Sequence, residues 1–388
     1  MGAAVSDLPS FVNKARAVQR LQEMVRIPAV AGEERPMAEY VAAALRDVGC
    51  GTVHVDDRWN VLGIMGEGRG PSVMLLTHTD SAPPGAMQNP FSGAIMDGER
   101  FGKTGPVVYG RGACAPKSAV AAMLEALAAL RDGGVRLAGS VQLAAVTKDL
   151  RANHEGIKEL AASYPVKADF VIAGEPSDNH VVLGARGIGH FEARFTGKAA
   201  HWGRPSEAVN PLFGVADLLL ALEKLALPKH AVLGGATVSP FETRAEAIPP
   251  RSPHTAAVMW DRRLLPEESV EAVRAGFQGI VDGVVRARPG LGGEVVYVKG
   301  MYPYAVPETA PTVSLLQRAA DAALGRKLPT TYITFSSNAG YTIREMKIDG
   351  AAFGPGRIGD VTETEHVAID SLYEAAVIYA AAGAIAAA

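Results

Sequence analysis

The tripeptide His78-Thr79-Asp80 closes the apolar run Val73-Met74-Leu75-Leu76 and sets a carboxylate two residues beyond an imidazole. A carboxylate beside imidazole fixes its tautomer and raises its basicity, which suits metal ligation or proton transfer. Gly174-Glu175-Pro176-Ser177 places an acid directly after a second apolar run, Phe170 to Ala173. Beyond a third run, Val141 to Val146, stand Asp149, His154 and Glu155: another acid and imidazole for chemistry, or a polar loop with Glu155 at a helix start. Cys114 is available as a thiol nucleophile or soft ligand, or as a small apolar core residue. Ser336-Ser337-Asn338 could bind substrate through its hydroxyls and amide, or simply make a turn. Later in the chain Lys198, His201, Arg204, Asn210 and Arg263 could together hold a carboxylate, arginine supplying a bidentate fork. Arg263 has the alternative of pairing with Glu267.

These residues need elements to position them. Apolar spacing predicts helices over Ser10 to Val25 and Glu33 to Val48, the second closed by Gly49, with a strand at Thr52 to Val55. Val73 to Leu76, Val141 to Val146 and Phe170 to Ala173 read as strands buried on both faces, with helices at Lys117 to Leu130 and from Glu155. Strands alternating with helices indicate an open α/β sheet, whose functional groups gather beyond the strand C-termini. His78, Asp149 and Glu175 all follow such strands. The Pro/Gly-rich stretch Ser81 to Gly112 is too long for a simple connection and reads as a functional loop. From Gly187 the pattern changes to one-face-exposed strands, Phe191 to Phe195 and Thr255 to Trp260, with helices Pro211 to Leu225 and Glu267 to Val281. After Gly300 the buried pattern resumes, with a helix at Pro311 to Leu324, a strand at Ala351 to Phe353 and a helix from Ile369.

The 388 residues exceed one ordinary core, so two domains are expected. A net charge of −3 gives no electrostatic reason for a nucleic-acid or anionic-membrane partner and leaves a small molecule as the expected ligand. Two cysteines make no disulfide framework, and Met1 to Asp7 has neither a basic region nor an apolar core, so a reduced, cytoplasmic location is expected. The Ala-rich tail Ala375 to Ala388 is too short to span a bilayer and reads as a packed helix.

A set of segments extends these readings: Leu76 to Pro83, Tyr109-Gly110-Arg111-Gly112-Ala113, Lys117, Gly156 to Leu160, Asp169 to Ser177, Gly197 to His201, Asn210-Pro211, Asp261-Arg262-Arg263, Phe353 to Gly356 and Glu365 to Ile369. Together they resemble the co-catalytic zinc aminoacylase and carboxypeptidase family of clan MH, which includes acetylornithine deacetylase, succinyl-diaminopimelate desuccinylase and glutamate carboxypeptidase. The resemblance covers nearly the whole chain. It implies a catalytic α/β domain interrupted by a smaller lid domain that dimerises in many members. It also implies two zinc ions on five protein ligands, one a bridging aspartate, with a glutamate as general base. His78 and Glu175 match two ligands of one metal, Asp80 the aspartate behind the histidine, and His201 the lid histidine that in some members reaches into the partner's site. Elsewhere the pattern departs. Ala115 stands where the bridging aspartate is expected, Leu150 and Arg151 where the base and a ligand are expected, Val361 where a ligand histidine is expected, and Glu246 where the lid carries asparagine.

A catalytic zinc keeps three protein ligands plus water, and two aligned ligands fall short of that. Arg151 would add repulsion, about 4 kcal/mol per unit charge at ~4 Å and an effective dielectric of ~20. The resulting expectation is an open mixed-sheet α/β catalytic domain with helices on both faces, formed by residues 1–186 and 301–388 and interrupted by an α+β lid/dimerisation domain at 187–300. The expected function is hydrolysis of a C–N, amide-type bond in a small carboxylate-bearing substrate by a homodimer. Asp80, Asp149, Cys114 and His201 are the candidate catalytic residues; Arg204, Asn210, Arg263, Ser337 and Asn338 are the candidate substrate contacts. His78 and Glu175 would hold at most one weakly bound divalent cation, Zn or Mn, or none. Two alternatives stay open: a metal-free enzyme of the same fold using acid/base or nucleophilic chemistry, and a non-catalytic metabolite-binding subunit.

Overall fold

The structure is a computed structural model that describes residues 2–66 and 69–388. The chain divides into a larger unit, Met1–Gly184 with Ala305–Ile333 and Ser337–Ala388, and a smaller one, Ala185–Tyr304 with Thr334–Ser336. The smaller unit thus takes seven residues, Met301–Tyr304 and Thr334–Ser336, from the segment expected to complete the catalytic domain.

The larger unit is built on a mixed sheet. Its strand order runs Thr52–Val55, Val61–Met65, Ser140–Val146, Ser72–His78, Phe170–Gly174, Asp349–Phe353 and Val181–Ala185, with Thr330–Ile333 also pairing to Val181–Ala185. The four strands from Ser140–Val146 to Asp349–Phe353 are mutually parallel, whereas Val61–Met65 and Val181–Ala185 join them antiparallel. The parallel strands are apolar almost throughout because helices cover both faces and leave neither to water. Register pairs His78 with Val146 and Gly174 with Phe353, so residues following these strands collect at one sheet edge.

Helix Lys117–Asp132 is buried along nearly its whole length and packs against the C-terminal helix Ile369–Ala386. Alanines on both helices, including Ala122, Ala126, Ala376 and Ala380, let the backbones approach closely. The C-terminal helix begins at Ile369, where the sequence pattern places its start. At 18 residues it is long and apolar enough to cross a membrane by composition, but 72% of it is buried inside the chain, as befits a core helix. The expected helix over Ser10 to Val25 is two elements. A 3-10 turn covers Val5–Ser10, and the α-helix Lys14–Val25 starts only after Asn13, whose side chain accepts the Arg16 N–H at 3.0 Å.

The smaller unit is a four-stranded antiparallel sheet in the order Thr237–Glu246, Thr255–Leu264, Gly187–Thr196 and Gly292–Met301. Helices Leu212–Glu223 and Val270–Ala287 pack on one face, and Phe191, Phe195, Trp260, Phe277 and Val281 form the core between them. Alternation explains that face: Phe191, Ala193 and Phe195 point in while His190, Glu192 and Arg194 lie on the other side. The edge strand Thr237–Glu246 escapes a periodicity reading because it is exposed almost from end to end and has no apolar face.

Candidate active site

At the C-terminal ends of the parallel strands the sheet gathers His78, Asp80, Asp149 and Glu175. His78 is buried, and its Nδ1 lies 3.0 Å from Asp80 Oδ1. Asp80 is fully buried and also accepts the backbone N–H groups of Asp149 at 3.1 Å and Leu150 at 2.9 Å. It thereby orients the imidazole and pins the loop after the neighbouring strand. On the far side of the ring, His78 Nε2 faces Asp149 Oδ2 at 4.0 Å.

Asp149 is itself held. Asn338 Nδ2 donates to Asp149 Oδ1 at 2.7 Å, and Asn338 Oδ1 pairs with His154 Nδ1 at 2.8 Å. The loop around it is conformationally costly: Lys148, Ala152 and His154 all adopt left-handed backbone conformations, with φ of 57°, 58° and 55°. Three buried acceptors and the Asn338 amide restrain it. Glu34 accepts the Lys148 N–H, Asn60 Oδ1 accepts the Thr147 N–H, and Asp80 and Asn338 act as described.

The electrostatics follow from burial and proximity. Burial lowers the affinity of His78 for a proton, but the charges of Asp149 and Asp80 and the Asp80 hydrogen bond outweigh it and raise the pKa to about 10. Asp80 is held below the usual carboxylate range, its desolvation outweighed by His78 and by the two backbone donors. Burial and the nearby Asp149 charge push Glu175 up to about 8, despite a hydrogen bond from Ser337. Burial and the Asp80 charge raise Asp149 to about 6 against the opposing charge of His78. His154, lowered to about 4 by burial, is neutral at pH 7. The shifts thus favour the protonated forms of His78, Asp149 and Glu175 and the ionised form of Asp80.

Several expectations change. Cys114 is buried, its thiol donates to the Arg357 carbonyl at 3.2 Å, and burial together with Glu365 and Asp360 raises its pKa well above the ordinary value. That environment opposes the thiolate which both a nucleophile and a soft ligand require. Asn338 is not a free substrate contact, because its amide is engaged by Asp149 and His154. Ser337 is fully buried, bonded to Glu175 and accepting the Ala339 N–H, so it too supports the cluster instead of facing a ligand. Arg151 is exposed, with its guanidinium beside Gly32.

In the smaller unit His201 is exposed and its Nδ1 accepts the Gly203 N–H. Arg204 is exposed and lies 3.5 Å from Glu207. Asn210 uses its Oδ1 on the Leu212 N–H at the start of a helix. Arg263 pairs with Asp261 at 2.9 Å and not with Glu267, since neighbours two apart on a strand share one face.

Glu365 is the residue whose role the sequence least disclosed. It is fully buried, pairs with Arg111 at 2.7 Å, and accepts the N–H groups of Cys114 and Ala115 at 3.0 Å each. The expected bridging position, Ala115, is thus fixed through its backbone. Among the described residues no group of three or more His, Cys, Asp or Glu side chains is arranged to hold a metal ion. Leu150 is half exposed and Val361 supplies no donor.

The sequence profile of Peptidase family M20/M25/M40 matches residues 74–383. A Peptidase M20 domain-containing protein of Schizosaccharomyces pombe is 27% identical over 225 residues, 56% of this chain and 52% of that protein. The chain therefore spans about half the length of that relative. A putative LysW-lysine/LysW-ornithine hydrolase of Pyrobaculum aerophilum is 27% identical over 87% of both chains. Among solved structures, a tripeptidase from Staphylococcus aureus superposes with a TM-score of 0.77 at 19% identity, covering 97% of this chain and 99% of that one. With the profile spanning most of its length, the chain belongs to Peptidase family M20/M25/M40.

Proposed function

We propose that the chain hydrolyses a C–N, amide-type bond in a small carboxylate-bearing substrate, using a metal-poor site. The observation that carries this reading is the arrangement of His78, Asp80, Asp149 and Glu175 in a family of peptidases while Ala115, Leu150 and Val361 occupy positions that need donors. The donors present do not fit a two-zinc centre, because a catalytic zinc alone requires three protein ligands and water. The residues that remain are matched to acid/base hydrolysis. Asp149, restrained by Asn338, accepts a proton from a water whose oxygen attacks the amide carbon. The carboxylic acid of Glu175 gives its proton to the departing nitrogen as the C–N bond breaks, and the His78 imidazolium faces the negative charge that develops on the carbonyl oxygen.

A homodimer through the smaller unit belongs to the same reading. An exposed edge strand such as Thr237–Glu246 is a template for pairing with another chain, and Phe241 on it is 53% exposed.

The test is turnover of a panel of dipeptides and N-acyl amino acids by metal-analysed protein. Activity with less than one equivalent of metal, reduced about 10²–10⁴-fold in Asp149→Asn, is expected. Two tightly bound zinc ions per chain, or turnover unchanged in that variant, would overturn the reading.

A further inference from the structure

The larger unit carries a second concavity that shares no residue with the His78 cluster. Its volume is about 880 Å³, in the range of small-molecule sites. The floor is a three-stranded sheet of Ala94–Asp97, Pro106–Tyr109 and His366–Ala368. Register sets Ala94 opposite Tyr109 and Tyr109 opposite His366, and the two-residue period puts Met96 on the face of Ala94. Phe101 stacks over His366 with ring centroids 4.4 Å apart and lies 6.1 Å from Tyr109, while Phe91 lines the facing loop.

That loop is tied to the floor. The Tyr109 hydroxyl donates to the Gln88 carbonyl at 2.8 Å and the Arg111 N–H to the Pro90 carbonyl at 2.7 Å. The pocket is therefore formed before a ligand arrives, which spares the cost of ordering it on binding. Two charged residues line it. Glu363 reaches the Ala86 N–H at 3.4 Å, bridging the two walls. Arg100 is exposed and makes no hydrogen bond or ion pair among the described residues, so its whole guanidinium fork is available.

We propose that this pocket binds a small aromatic carboxylate, with its ring against Phe91, Phe101 and Tyr109 and its carboxylate on Arg100. Aromatic walls supply area and stacking, and the fork matches a carboxylate in two parallel hydrogen bonds. The wall at Glu363 and Thr364 continues directly into Glu365, which fixes the Cys114 and Ala115 amides. A ligand here thus bears on the segment that anchors the expected bridging position. The inference stands independently of whether the chain hydrolyses amides.

Isothermal titration with 2-naphthoate, 2-naphthalenemethanol and 2-naphthylmethylamine tests it on the full chain. Naphthoate is expected to bind one site with a Kd near or below about 1 mM, and the alcohol and amine more weakly. Arg100→Gln, an exposed change that breaks no contact, should weaken naphthoate about tenfold or more. Asp149→Asn should leave it unchanged. No saturable naphthoate binding, equal binding of the amine, indifference to Arg100→Gln, or loss in Asp149→Asn would each overturn the proposal.

Discussion

Replacing Glu365 by Gln should destabilise the larger unit far more than an isosteric change at the surface. The carboxylate is fully buried and takes three donors: Arg111 Nη1 on one oxygen and the Cys114 and Ala115 N–H groups on the other. Glutamine keeps only one acceptor oxygen. Turned toward the backbone amides, it leaves the buried Arg111 charge without its counter-ion; turned toward Arg111, it points an NH₂ group at two N–H donors. Removing one partner of a buried ion pair costs about 3–5 kcal/mol. A cooperative unit of roughly 260 residues loses about 0.5 kcal/mol per degree near its midpoint, so the melting temperature should fall roughly 6–10 °C. Differential scanning calorimetry reads this directly. The double variant Arg111→Met with Glu365→Met should be less destabilised than the two single changes added together, because it leaves no orphaned charge. A Glu365→Gln melting point within about 1 °C of the parent would refute the reasoning and assign the anchor elsewhere.

The remaining predictions concern pH and packing. His154 has its pKa lowered to about 4 by burial, against 6.5 for the free side chain, so the unfolded chain binds more protons between those values. Stability from this residue is complete above pH ~6.5 and falls by up to ~3 kcal/mol as pH drops toward 4; urea unfolding across that range should show a shallower slope in His154→Gln. Gly356 has φ of 76°, and a Cβ there would lie 2.5 Å from Cys114 Sγ. Gly356→Ala should therefore cost about 2–4 kcal/mol in urea unfolding, part of it recovered when Cys114→Ala is added.

The elements that carry chemistry were largely legible because their cores are unambiguous. Uninterrupted apolar runs ending in His78, before Asp149 and before Glu175 read as buried parallel strands, and that placement brings the three together. What stayed hidden depends on partners distant in sequence. Asn338 reads equally as a turn residue or a ligand contact until the fold sets it between His154 and Asp149. Cys114 reads either as a reactive thiol or as a small core residue until burial and Glu365 are seen to oppose its ionisation. The left-handed conformations at Lys148, Ala152 and His154 leave no mark because none is a glycine; tertiary hydrogen bonds impose them. The edge strand Thr237–Glu246 lacks alternation because only Val238 on it packs against the core and the rest is exposed.

The loop after strand Ser140–Val146 is pinned by backbone groups: the N–H donors of Thr147, Lys148, Asp149 and Leu150 meet Asn60, Glu34 and Asp80. Such an anchor is blind to the side chains it carries, and at 150 and 151 those side chains project outward. Substitution there is nearly free of folding cost, so only the demands of chemistry can hold an acid at either position. By the same logic, acids introduced at positions 150 and 151 would meet a backbone already fixed in place.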